Sequence, residues 1–351
     1  MKLLIITQKV DRNDPVLGFF HRWLEEFAKN VESLSVICLQ EGEYSLPENV
    51  HVFSLGKEHG SSRLKYIFRF YRLLRRLRGS YDSVFVHMNQ VYVLLGGPFW
   101  RARGIPVGFW YAHRANTFSL RLAEKIANVI FTNTLNSFTV PSCKVIALGH
   151  GIDVEATKRP DSYSENRRPT ELLCAGRITP IKDQETILLA CGLLERKSIP
   201  FKIGFVGGAA TQSDETYLKI LKKIISDQKI EQQVNFYGNV PQRNLFPYYW
   251  KAAVHINACP TGGMDKVVLE AAAGGAIPVV TNESFRDFLG VYADRLIFKT
   301  ADPKNLAEIL EALLNSNDQE EIRSYLKKKV LQNFDLGILT SKIIHWYETG
   351  R

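Results

Sequence analysis

Residues 259–280, CPTGGMDKVVLEAAAGGAIPVV, constrain most tightly what this chain can fold into. The stretch runs from an apolar segment, 254–258, through a glycine-containing turn into a helix. It leaves through Gly274 and Gly275 into a second apolar run, 276–280. Strand, turn, helix, strand is the repeating unit of a parallel α/β sheet. Pro260 and Thr261 end the first strand, and Gly262 and Gly263 let the backbone pass close to a ligand. The helix is predicted to start near Met264, where its free N–H groups and its dipole favour an anion. Lys266 stands in the first turn. A cation does not serve the helix there, and a bound anion would account for it. Glu270 follows one turn later, with a carboxylate that accepts two hydroxyl hydrogen bonds of the kind a ribose offers. The alternative is an ordinary α/β turn with a solvated Asp265–Lys266 pair.

A chain of 351 residues has room for two such sheets. Hydrophobic residues make up 45% and charged residues 23%, the balance of a soluble globular protein. No apolar run reaches the length of a membrane span, and the start, MKLLIITQKVD, reads as a buried strand rather than a signal peptide. The five cysteines are scattered without metal-ligand spacing, which predicts a reducing, cytoplasmic setting and no zinc site. The net charge of +9 favours acidic partners. Residues 1–165 hold 21 Lys+Arg against 15 Asp+Glu, or +6, which leaves +3 for the rest.

In the first half, a strand at 2–7 is followed by a polar loop, Gly18 and an amphipathic helix at 19–30. Residues 61–81 carry seven cations and no acid, with Ile67, Tyr71, Leu74 and Leu77 forming an apolar stripe. This is either a surface helix or a peripheral contact with an anionic membrane on its inner face. Nucleic acid is not expected, because no readout module accompanies the charge. Strands at 84–87 and 106–111 end in His87 and in His113 with Arg114. Both histidines are expected at the crevice beyond the strand ends. A polar stretch, 157–169, sets the domain boundary near residue 165.

The second half opens with a strand at 171–175, then Gly176-Arg177-Ile178-Thr179-Pro180-Ile181-Lys182 and a helix over 183–197. Arg177 and Lys182 share a strand-to-helix loop, where two cations can converge on one diphosphate. Strands at 201–206 and 234–237 follow, the latter leading into Gly238-Asn239-Val240-Pro241. A short strand is predicted at 295–298 and helices at 303–316, 319–332 and 336–347.

These features resemble retaining glycosyltransferase family 4, the group 1 glycosyltransferases of the GT-B fold. The Gly-Arg…Lys step at 176–182 is similar to that family's diphosphate clamp. Glu270 with the following Ala-Ala-Ala-Gly-Gly is similar to the second half of its nucleotide-sugar signature. The turn Gly149-His150-Gly151-Ile152-Asp153 is similar to the one that leads to its interdomain linker. The family's first signature glutamate falls on Gly262, and Asp265 is the carboxylate nearest to supplying it.

The resemblance implies two Rossmann-like domains facing each other across a cleft. These are an acceptor-side domain at 1–165 and a nucleotide-sugar domain at 166–335, with a C-terminal helix at 336–351 crossing back to the first. It implies transfer of a sugar, with retention, from a UDP- or GDP-linked donor to a hydroxyl of a glycan or lipid-linked acceptor. No cofactor and no metal are implied. Arg177 and Lys182 would hold the diphosphate with the amides of Lys266 and Val267, and Glu270 would hold the ribose. His113 and Asp265 would meet the sugar, Gly263 and Gly18 would border the diphosphate, and Asn239 and Val240 would lie near the base. Two alternatives stay open: a catalytically degenerate binding or scaffold subunit, and a sugar-nucleotide epimerase of the same fold. A dehydrogenase does not fit, since no Gly-x-Gly-x-x-Gly follows a strand.

Overall fold

A computed structural model of the protein describes residues 1–14, 16–60, 62–113, 115–161, 163, 170–260 and 263–350. The chain forms two compact units, Met1–Asp153 with Asp335–Arg351, and Val154–Phe334. The sequence-based boundary at 165, with most of the expected linker, falls outside the described residues.

The first unit is built on seven parallel strands: β1 (Lys2–Val10), β2 (Ser33–Glu41), β3 (Val50–Ser54), β4 (Ser83–His87), β5 (Val107–Trp110), β6 (Val129–Thr132) and β7 (Val145–Ala147). Their order is β3-β2-β1-β4-β5-β6-β7. All five residues of β4 are buried. Continuous apolar runs are what a sheet covered on both faces requires. Helices Arg63–Arg76, Gln90–Arg101 and Phe118–Ile126 bury Phe70, Leu73, Leu74, Trp100, Leu120 and their neighbours in one common core. The opposite face packs Phe20, Trp23, Leu24 and Phe27 of helix Phe19–Lys29 with Leu336, Leu339, Ile343 and Ile344 of helix Leu336–Thr349. The chain's last helix therefore belongs to the first unit.

The second unit holds five parallel strands: β8 (Glu171–Ala175), β9 (Lys202–Val206), β10 (Val234–Gly238), β11 (Val254–Asn257) and β12 (Ile277–Val280). Their order is β10-β9-β8-β11-β12. Each sheet thus reverses its strand order once, between β1 and β4 and between β8 and β11. In open parallel sheets ligands bind beyond the carboxyl ends of the strands at such a point.

Three expectations change. Residues 295–298 do not form a strand: Ala293–Leu296 is a helical turn, and Ile297 makes one bridge to Val280. On helix Arg63–Arg76 the buried stripe is Phe70, Leu73 and Leu74, continued by Leu77, while Ile67 and Tyr71 are exposed. The helix turns a different face inward because the bulkier Phe70 fills the core. The signature helix begins at Lys266 rather than near Met264. No helix among the described residues is long and apolar enough to cross a membrane.

Candidate active site

The site is assembled where β8 and β11 end side by side, paired at Leu172 with Val254 and Leu173 with His255. Beyond β8 the chain turns through Gly176, at φ +147°, into a single helical turn, Pro180–Lys182, and helix Gln184–Arg196. The turn is fixed from within. Gln184 donates to the Arg177 carbonyl at 2.8 Å, and Asp183 caps the helix by accepting from Thr186 N. Packing from the neighbouring loop is close. A Cβ on Gly207, where φ is +136°, would lie 1.9 Å from the Gly176 carbonyl oxygen. Glycine at 207 is therefore a steric requirement of the loop that carries Arg177 and Lys182.

Beyond β11 the chain reaches Asp265 at the N-cap of helix Lys266–Ala273. An N-cap aspartate ordinarily accepts from its own helix. Asp265 makes no such bond. Its Oδ2 instead meets Lys182 Nζ at 2.5 Å and accepts from Asn257 Nδ2 at 2.9 Å. The side chain is diverted across the switch point and joins the loop after β8 to the loop after β11. One turn into the helix, Glu270 is 2% exposed. Its Oε1 accepts from Gln242 Nε2 at 2.5 Å and lies 3.3 Å from Lys266 Nζ. The pair with Glu270 gives Lys266 a structural reason to stand in the first turn without any bound anion.

Beneath these charges His255 and Cys174 are buried. His255 is fully buried, its Nε2 accepts from Ala175 N at 3.4 Å, and its Nδ1 has no partner. Burial pushes its pKa down to about 3, so the ring is neutral. The buried thiol of Cys174 is pushed up to about 12 for the same reason and is not a nucleophile.

The structure thus brings Lys182, Asp265, Lys266 and Glu270 together. Val267 and Gly263 lie in the same stretch, Gly263 with its carbonyl accepting from Asn282 Nδ2 at 3.4 Å. Arg177 is exposed on the loop after β8. Asn239 and Val240 follow β10, where Asn239 packs against Gly208 and is exposed. Thr261 and Gly262 lie outside the described residues. Two residues that the sequence did not single out complete the cluster: Asn257, the last residue of β11, and Gln242. Position at a strand end was an available signal for Asn257; Gln242 offered none.

The remaining candidates belong to the first unit. Gly18 precedes helix Phe19–Lys29, and a Cβ there would lie 2.5 Å from the Asp14 carbonyl oxygen, so its glycine serves local packing. His113 is exposed, past the end of β5. Arg114 lies outside the described residues. His87 is not at a crevice. It is buried, 3.3 Å from Thr7 Oγ1, and stacked on Phe20 with ring centroids 4.0 Å apart. The bulk of Phe20 and Trp23 closes over the end of β4 and removes the ring from solvent.

Known proteins share this architecture. Crystal structures of Anabaena HepE in complex with UDP and of sucrose-phosphate synthase from Thermosynechococcus elongatus superpose with TM-scores of 0.77 and 0.75. Each superposition covers 99% of this chain, and 100% and 98% of those chains, at 16% and 13% identity. A GDP-mannose-dependent alpha-(1-6)-phosphatidylinositol monomannoside mannosyltransferase from Mycobacterium tuberculosis is 30% identical over 160 residues. That match covers 41% of this chain and spans only 39% of the relative's length. Residues 156–330 match the family described as glycosyl transferases group 1. Two parallel-sheet units, this match and the structural likeness agree: the chain belongs to the group 1 glycosyltransferases and has their GT-B fold.

Proposed function

We propose that this protein transfers a sugar from a nucleoside-diphosphate sugar to a hydroxyl acceptor, with retention at the anomeric carbon and without a metal. The observation that carries the reading is the cluster at the β8–β11 switch point. Lys182 stands on the loop after β8 and the buried carboxylate of Glu270 on the helix after β11, and that helix's N-terminus lies between them. Lys182 and Arg177 take the diphosphate, and their charge stabilises it as a leaving group. Glu270 takes the ribose hydroxyls. His113 meets the donor sugar, an assignment that rests on the family resemblance. The base is uracil or guanine; the named relatives include one bound to UDP and one dependent on GDP-mannose.

Calorimetric titration with UDP, GDP and ADP, with and without EDTA, tests this. One nucleoside diphosphate binding equally well in EDTA, and about tenfold or more weaker to Lys182→Ala, is the expected result. Binding of none of them would leave a scaffold role instead.

The acceptor is a glycan or a lipid-linked hydroxyl, and the charge distribution favours a site on an anionic membrane. Residues 61–126 hold 12 Lys+Arg and 2 Asp+Glu, or +10, while the rest holds 33 and 34, or −1. The helices in this stretch adjoin, with Tyr71 Oη donating to Leu95 O at 3.0 Å. They also expose Leu64 (79%), Phe68 (69%) and Phe118 (84%). Basic residues at an anionic surface contribute about 1 kcal/mol each. Sedimentation with phosphatidylcholine vesicles, with and without phosphatidylglycerol, should show binding to the anionic vesicles alone. The triple variant Arg72→Gln, Arg75→Gln, Arg76→Gln should lose it.

A further inference from the structure

Glu270 shows an asymmetry that its place in the family signature does not explain. Both of its close polar contacts fall on one oxygen, Oε1. A carboxylate has about four acceptor positions, and two ribose hydroxyls need both oxygens presented in one plane. Buried at 2% exposure, Glu270 keeps that orientation only if something fixes the rotation of its terminal group. Lys266, one helical turn away on the same helix, fixes the stem's neighbourhood but at 3.3 Å supplies a point charge without direction. Gln242 supplies the direction. Its planar amide donates to Oε1 at 2.5 Å from a different element, the single turn Gln242–Asn244 after β10.

Only Pro241 separates that turn from Asn239 and Val240, the residues that the family resemblance places near the base. Gln242 therefore links the base side of the site to the ribose side through one hydrogen bond. Resting on the donor-site reading above, we propose that Gln242 is a positioning residue for ribose recognition. It holds Oε1 so that the rest of the Glu270 carboxylate faces the 2′ and 3′ hydroxyls. Its effect is confined to the ribose and does not extend to the diphosphate, which is held by other residues. Removing it should cost discrimination between ribose and deoxyribose rather than affinity for phosphate.

The test is titration of the full chain with the preferred nucleoside diphosphate, its 2′-deoxy and 3′-deoxy analogues, and pyrophosphate. For the unaltered protein the ribose form should bind about tenfold or more tightly than either deoxy form, as expected for hydrogen bonds to a charged group. Gln242→Leu keeps the volume and removes the donor. It should bring that ratio to within about threefold of unity while leaving pyrophosphate affinity unchanged. Gln242→Ala, which places no new side chain in the turn, should do the same if the leucine variant does not fold. A ratio that stays at its original value in both variants, even with weaker binding overall, would overturn the proposal and leave Gln242 a packing residue. Failure of every nucleoside diphosphate to bind the unaltered protein would overturn it too, and would do so by removing the donor-site reading on which it rests.

Discussion

The two sheets reverse their strand order at equivalent points and use them in opposite ways. In the first unit the end of β4 is closed by rings: His87 stacks on Phe20, with Trp23 at 6.0 Å from it and Trp110 at 5.0 Å from Trp23. The loop after β1 carries charge but directs it away from β4: Lys9 at the end of β1 pairs with Asp11 and Asp14, Asp14 accepts from Val16 N and Leu17 N, and Arg12 and Asn13 donate to Glu43 past β2. In the second unit the ends of β8 and β11 carry Lys182 and Asp265, and Glu270 lies behind them. An N-cap carboxylate turns away from its helix to meet a lysine on another loop. Topology alone therefore does not make a binding site. The second switch point is the candidate because its polar groups are set against each other across β8 and β11, whereas the loop after β1 turns its charges to Lys9 and to Glu43 past β2, away from the end of β4.

Acidification gives the largest expected effect, and it compares the floors beneath the two points. His87 and His255 are both buried, and burial presses each to about 3. In the unfolded chain a histidine takes its proton near 6.5, so between about pH 6.5 and 3 the unfolded state binds more protons. Stability then falls as pH falls through that window, by about 1.4 kcal/mol per pH unit for each histidine. Urea midpoints measured from pH 7 to about 4.5 should show a slope that drops in His87→Phe and again in His255→Gln. Equal drops would mean that both floors are dry. A smaller drop for His255 would mean that water reaches beneath Lys182.

The next effect is local to the second unit. Gly207→Ala places a Cβ against the Gly176 carbonyl at a φ that L-residues avoid, and should destabilise the protein by about 3 kcal/mol. Denaturant unfolding checks this, and a change below about 1 kcal/mol would mean that the β8 loop yields, weakening the case for a preset site. A smaller effect contrasts the two lysines. Lys182→Ala should weaken nucleoside diphosphate binding by about 1.5–3 kcal/mol, the worth of a hydrogen bond to a charged group. Lys9→Ala, which loses the ion pairs to Asp11 and Asp14 in the first unit, should leave that affinity unchanged. Equal losses in both variants would erase the distinction drawn between the two switch points.

The strands were legible in the sequence because doubly covered parallel strands are continuous apolar runs, as in 83–87 and 277–280. Charge was legible at Lys182, Asp265 and Glu270 because polar groups directly beyond such runs have few places to go. The partnerships were not legible. That Asp265 would reach Lys182, 83 residues earlier in the chain, depends on the pairing of β8 with β11. The sequence shows Lys266 as a cation in a helix's first turn, where the dipole disfavours it, and does not show that Glu270 pairs with it. His87 was misplaced for a related reason. A polar residue ending a strand reads the same in sequence whether solvent or a ring covers it, and Phe20, which covers it, is 67 positions earlier (87 − 20). The inward face of helix Arg63–Arg76 failed differently: two stripes of similar spacing compete on that helix, and only the core's need for Phe70 separates them.

The smallest effect probes another difference between the units, that the first is completed by the end of the chain. Tyr347 on the last helix donates to the Val84 carbonyl at 2.6 Å and accepts from Gly108 N at 3.1 Å, so one hydroxyl serves both β4 and β5. Tyr347→Phe keeps the ring's contact with Phe131 and removes the bridge. Two backbone groups of the sheet then lose a partner, and the cost should be about 1–2 kcal/mol. Because the second unit contains no part of this helix, the loss should appear in the unfolding of the first unit alone. Nucleoside diphosphate affinity should stay as it was. Amide exchange resolves the two: faster exchange at 84–87 and 107–110 with unchanged rates at 171–175 is the expected pattern. Acceleration in both sheets would mean that the terminal helix stabilises the second unit as well, and that the contrast between the units holds for their sites but not for their stability.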